Sequence, residues 1–207
     1  MKTSYRTRCG VFGVLCLSLW AQAGMASEPS PYRLLKEPSI HTSGKVKVEV
    51  FVDFYCPHCH HFEMAVLPIL KREFNDRLEV ITTGFPVIRN KPETPFLLYE
   101  AARADGKGVD MARILFRVLH DEKGDLQDPG VEARVVREAG LQPASVTKLL
   151  ASGDPERRFK EGIARAEHLG VLSTPTVLLD DHVLVEEASA EVLSPLIHKL
   201  LAGENIR

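Results

Sequence analysis

"KVKVEVFVDFYCPHCHHFEMAVLPIL", residues 45–70, holds the transition that decides the fold. Val46, Val48, Val50 and Val52 alternate with Lys47, Glu49, Phe51 and Asp53. A period of two with β-branched residues is a strand. The run stops at Cys56-Pro57, and proline is at home in the first turn of a helix. Phe62, Val66, Ile69 and Leu70 then recur at helical spacing, and Pro68 is expected to kink that helix. Two cysteines therefore sit where a strand feeds a helix. Three chemistries use Cys-x-x-Cys: a redox dithiol, half of a zinc site, and, because His60 follows Cys59, a c-type haem attachment.

The chain has 207 residues, enough for one domain or one domain with an insertion. A net charge of −2 gives no bulk electrostatic case for nucleic acid or an anionic membrane. Lys2, Arg6 and Arg8 precede the apolar run "CGVFGVLCLSLW" (9–20), and "AQAGMAS" follows. This is the pattern of a secretory signal peptide over residues 1–26, with cleavage expected after Ala23 or Ala26. Cleavage removes Cys9 and Cys16 and leaves Cys56 and Cys59 alone in an oxidising compartment. A disulfide across two residues closes too short a loop to stabilise much. The pair is therefore expected to react rather than to staple.

Residues 27–44 read as a leader with one short strand. "RLEVITTGF" (77–85) is a second strand after the helix, giving a βαβ unit with a parallel pair. Residues 93–170 carry helical stripes, among them Met111, Ile114, Leu115, Val118 and Leu119. "TPTVLLDDHVLVE" (174–186) reads as a hairpin turning at Asp180-Asp181. Ser189 caps a last helix that ends at Gly203. The expected class is α/β: a discontinuous domain over 45–92 and 171–204, interrupted by a helical insertion over 93–170.

A sulfur at Cys56 would face the unpaired N–H groups of a helix start, which lower a thiol pKa. "FYCPHCHHFE" resembles the active site of DsbA-type bacterial periplasmic disulfide oxidoreductases, within the thioredoxin-fold superfamily, and "STPTVLL" resembles that superfamily's cis-proline strand. The resemblance spans essentially the whole chain after residue 26. It implies a thioredoxin fold with an inserted helical domain and a redox-active disulfide as the sole cofactor. Cys56 and Cys59 would be the catalytic pair, and Pro57 and His58 would tune the Cys56 thiolate. Thr174 and Pro175 would hold the substrate strand, Pro175 in cis. The implied partners are unfolded secreted proteins with free thiols and a membrane redox protein that resets the disulfide. The implied role is in protein folding, as a monomer.

The chain also departs from that pattern. Val50 stands where the oxidases carry a buried carboxylate, six residues before Cys56. Asp53 and Thr174 resemble the periplasmic isomerases instead, although no separate dimerisation domain fits into residues 27–44. Glu63 and Asp53 are the candidates for a proton relay to Cys59. An oxidase is the favoured reading, with an isomerase or a dedicated reductase as alternatives. The haem reading fits poorly with a strand running straight into the motif. Zinc lacks a ligand set, because the histidines beyond residue 61 (His120, His168, His182, His198) and His41 are scattered. No metal is expected.

Overall fold

The computed structural model describes residues 30–36, 39–41 and 44–206. The signal-peptide reading falls outside the described residues. Five strands form one sheet in the order β1-β5-β4-β2-β3. They are β1 (Tyr32–Leu34), β2 (Val46–Val52), β3 (Leu78–Gly84), β4 (Thr176–Leu179) and β5 (Val183–Val185). β2 lies inside the sheet, parallel to the edge strand β3 and antiparallel to the central strand β4. The short strand in the leader is β1, which pairs with β5 and closes that edge.

The alternation in β2 sorts its side chains between two buried faces rather than between core and water. Val46, Val48, Val50 and Val52 join one apolar cluster, while Phe51 joins a second with Ala166, Leu178 and Leu184. Glu49 shares that second face and is buried. Its carboxylate accepts from Thr83 Oγ1 at 2.7 Å and meets Arg165 Nη2 at 2.9 Å. Arg165 lies on α7 (Asp154–His168), which also pairs with Asp181 at 2.8 Å. A buried carboxylate is tolerable only when paired in this way. The buried acid of β2 is thus explained by one arginine on a covering helix, while Lys47 pairs with Asp181 at 3.1 Å.

After Cys56, α1 (Pro57–His61) runs through a wide π segment (Phe62–Val66) into α2 (Leu67–Phe74). Pro68 falls in the first turn of α2, and the Leu67 N–H reaches back to the Phe62 carbonyl. The expected kink is resolved as a π turn. The wider turn relieves the clash and the missing donor that a proline imposes on an α-helix.

The helical segment comprises α3 (Thr94–Ala104), α4 (Gly108–Phe116), a second π segment (Arg117–Asp121), α5 (Pro129–Glu138), α6 (Pro143–Ala151) and α7. It is tied to the sheet by aromatic rings. Phe54, just past β2, lies with its ring centroid 5.3 Å from Phe96, 5.7 Å from Tyr99 and 5.1 Å from Phe116. Gly84 ends β3 beneath that cluster, where an added Cβ would stand 2.7 Å from Phe96 Cδ1. Only glycine fits there without repacking an aromatic core.

The β4–β5 turn has Asp180 and Asp181 both at positive φ (47° and 56°), with the His182 N–H donating to Leu179 O at 3.0 Å. Two left-handed residues suit the twist of a hairpin. Asp180 is held there because its buried carboxylate accepts from the Lys47 N–H at 2.8 Å and pairs with His41 Nδ1 at 2.7 Å. Ser189 caps α8 (Ala190–Leu201), its hydroxyl accepting from the Val192 N–H.

Candidate active site

Cys56 occupies the N-cap of α1 in extended geometry, with Pro57 in the first turn. Its own N–H donates to Asp53 O at 2.9 Å. Both cysteines are unlinked, so this is the dithiol state. Cys56 keeps 6% of its surface exposed and Cys59 none, so only Cys56 can be reached from outside. The direction of the helix dictates this, because Cys59 lies one turn further in.

The two sulfurs have opposite chemistry. The Cys56 thiol is brought down to about 5, chiefly by a hydrogen bond from the Cys59 thiol. The backbone N–H groups of Cys59 and His58 and the Thr174 side chain also favour its thiolate, against a cost of burial. The Cys59 thiol is pushed far up, first by burial and then by the bond it gives to Cys56. Cys59 shares its apolar cluster with Val50, so an apolar side chain fills the position where the DsbA-type pattern has an acid. The His58 imidazole is exposed and faces a groove; what reaches Cys56 from this residue is its backbone N–H. The tuning found here comes first from the Cys59 thiol and then from the N–H groups of the helix start.

Asp53 is fully buried and both its oxygens are occupied. Oδ1 accepts from the Tyr55 N–H at 2.9 Å, and Oδ2 accepts from Val87 N–H at 2.9 Å and Ile88 N–H at 2.8 Å. A carboxylate so engaged is an anchor that ties the strand end before Cys56 to the loop after β3. Glu63 is half-buried on the π segment. Burial raises its pKa, while Lys71 and Arg113 oppose the rise.

The Thr174–Pro175 peptide is cis. Thr174 O lies 3.4 Å from Cys56 Sγ, across the sheet from the helix start. The Thr174 hydroxyl is buried without a hydrogen-bond partner of good geometry, yet lies close enough to both sulfurs to favour their thiolates. The structure thus brings Cys56, Pro57, Cys59, Thr174 and Pro175 together.

The Thioredoxin family model matches residues 41–199. The chain belongs to the thioredoxin family. Among named relatives of this thioredoxin-family chain, the thiol:disulfide interchange protein DsbA of Burkholderia cepacia is 24% identical over 179 residues, 82% of this chain and 83% of the relative. The DsbA structure from Xylella fastidiosa superposes with a TM-score of 0.65 at 22% identity, covering 83% of this chain and 95% of that one. The Pseudomonas aeruginosa DsbA structure gives 0.65 at 17% identity, covering 84% and 91%. The thioredoxin fold with its inserted helices is common to all three chains.

Some of what surrounds this thioredoxin-family site is not evident in the sequence. His60, the residue a haem reading would need, stacks on His120 with ring centroids 4.8 Å apart and lies 3.3 Å from Asp121. His120 Nε2 bonds the Phe54 carbonyl at 2.9 Å, so the second π segment buttresses the active-site loop. The stripe Met111 to Leu119 announced a helix here, but nothing in it announced this contact. Among the described residues, no group of three or more His, Cys, Asp or Glu side chains is placed to hold a metal.

Proposed function

We propose that this protein is a periplasmic thiol:disulfide oxidase that introduces disulfides into secreted proteins. The observation that carries the reading is the asymmetry of the two sulfurs: a reachable Cys56 thiol lowered to about 5 against a buried Cys59 thiol pushed far up. The similarity to DsbA proteins and the signal-like residues 1–26 support it.

In the oxidised protein, a substrate thiolate attacks Cys56 Sγ. The Cys56–Cys59 bond breaks, and Cys59 leaves and takes up a proton, as its raised pKa favours. A second substrate thiolate then attacks the substrate sulfur of the mixed disulfide. Cys56 leaves as a thiolate, and a low pKa makes it a good leaving group. Two electrons pass to the protein, which an oxidising membrane partner must remove to restore the disulfide. Thr174 O contacts Cys56 Sγ, and a thiolate there no longer donates to it. The carbonyl is then available to a backbone N–H of the substrate, in the manner of strand addition. Glu63, four residues past Cys59 and with its pKa raised by burial, is the remaining candidate for the proton route, since Asp53 is fully engaged.

A lowered thiol pKa stabilises the reduced protein above its value. That gain relative to the oxidised form builds as pH rises from about 5 toward 9.0, the ordinary thiol value, and is lost as pH falls through about 5. The test is stoichiometric transfer: the oxidised protein is mixed with a reduced, unfolded protein that needs several disulfides. Expected is loss of two substrate thiols per molecule, with little activity in reducing insulin. Efficient insulin reduction without net oxidation would favour a dedicated reductase.

A further inference from the structure

The groove beside Cys56, of about 500 Å³, has one wall that the exchange chemistry does not use. Phe62, Val66 and Ile69 line the near side with His58 and His61, and Thr174-Pro175 closes the end next to the sulfur. The far wall is the segment after β5 and the start of α8, and it carries Glu186, Glu187 and Glu191, all exposed. Glu186 makes only a loose contact with Arg33 at 3.7 Å, both side chains being largely in water. Among the described residues, neither Glu187 nor Glu191 has an ion-pair partner, and no lysine or arginine lines the groove. A second observation ties the groove to the reacting sulfur. Thr174 and Pro175 line its end, and Thr174 O lies 3.4 Å from Cys56 Sγ, so a chain joined to that sulfur runs on past this wall.

We propose that this wall selects substrates by charge: the site prefers extended polypeptide segments whose reactive cysteine is flanked by lysine or arginine. The inference rests on the exchange function proposed above. An apolar floor accepts the aliphatic stems of those side chains, while the carboxylates meet their charged heads. Carboxylates on one wall also raise the local concentration of cationic segments and speed their encounter. Two or three exposed ion pairs of ordinary strength multiply to about tenfold.

The test uses two reduced ten-residue peptides, each with one central cysteine and identical except for residues three away on either side, lysine in one and glutamate in the other. Mixed-disulfide formation with the purified oxidised protein is followed by acid quench and mass spectrometry. Each rate is divided by that peptide's rate with a small neutral disulfide, which cancels intrinsic thiol reactivity. Expected is a preference of about tenfold for the lysine peptide at low salt, shrinking as salt screens it. In the E187Q/E191Q protein the preference should fall to about twofold or less. Equal rates with both peptides, or a preference that survives in the double variant, would overturn the inference and leave the exchange function standing. No reaction with either peptide or with dithiothreitol would overturn the exchange function and this inference with it.

Discussion

Cys59→Ser protein mixed with a disulfide-bonded substrate will accumulate as a covalent adduct through Cys56, visible as a mass increase under non-reducing conditions. Cys56→Ser protein will form no adduct and will lose exchange activity. The difference follows from the two thiols. With a value of about 5, Cys56 is almost wholly thiolate at pH 7. Cys59 is pushed far above the ordinary value, so its thiolate fraction is below about 1% at that pH. It is also fully buried, whereas Cys56 keeps some exposed surface. The loss in Cys56→Ser is therefore at least about a hundredfold, since only the thiolate attacks. Retention of full oxidative activity by Cys56→Ser, or failure of Cys59→Ser to stay linked, would reverse the assignment of the two roles.

Asp53→Ala will lower the melting temperature by about 6–20 °C. Three backbone N–H groups, those of Tyr55, Val87 and Ile88, lose their acceptor together. Hydrogen bonds to a charged group contribute about 1.5–3 kcal/mol each. Water can reach part of this loop, which brings the total to about 3–5 kcal/mol, at roughly 2–4 °C per kcal/mol for a chain of this size. The experiment also separates the two roles open to this residue. An anchor shows as lost stability, with a normal pH profile for the remaining folded protein. A proton relay would leave the melting temperature in place and move the pH profile instead. Thermal unfolding beside a pH–rate profile decides between them.

The parts of the molecule legible in the sequence were those fixed by local rules. The alternation of Val46 to Val52, the Cys56-Pro57 helix start, the Asp180-Asp181 turn and the Ser189 cap each specify geometry within a few residues, and each is present. What stayed hidden depends on residues far apart in the chain. The alternation places Glu49 opposite the valines but does not show its burial, which depends on Arg165, 116 residues later. Asp53 reads as a candidate proton carrier until the loop at Val87 and Ile88 folds back onto it. His58 reads as a charged neighbour of Cys56 because it sits between the cysteines. On a helix, however, its side chain turns outward and only its N–H faces the sulfur. The acidic wall needed the register of β5 and the start of α8 to bring Glu186, Glu187 and Glu191 to one side of the groove.

The most direct measurement is the reduction potential of the Cys56–Cys59 pair in glutathione buffers at pH 7. Thioredoxin, with an attacking thiol near pKa 7, lies near about −270 mV, and DsbA-type oxidants lie near about −120 mV. Lowering the attacking thiol to about 5 stabilises the reduced form by roughly 2 kcal/mol more at pH 7, or about 50 mV. The potential is therefore expected near about −220 mV, on the oxidising side of thioredoxin. Its slope against pH should also steepen below about pH 5, from about 30 to about 59 mV per unit, as Cys56 takes up its own proton. A potential near about −270 mV with no break near pH 5 would contradict the account, since the Cys56 thiolate would then not be setting the poise of the pair.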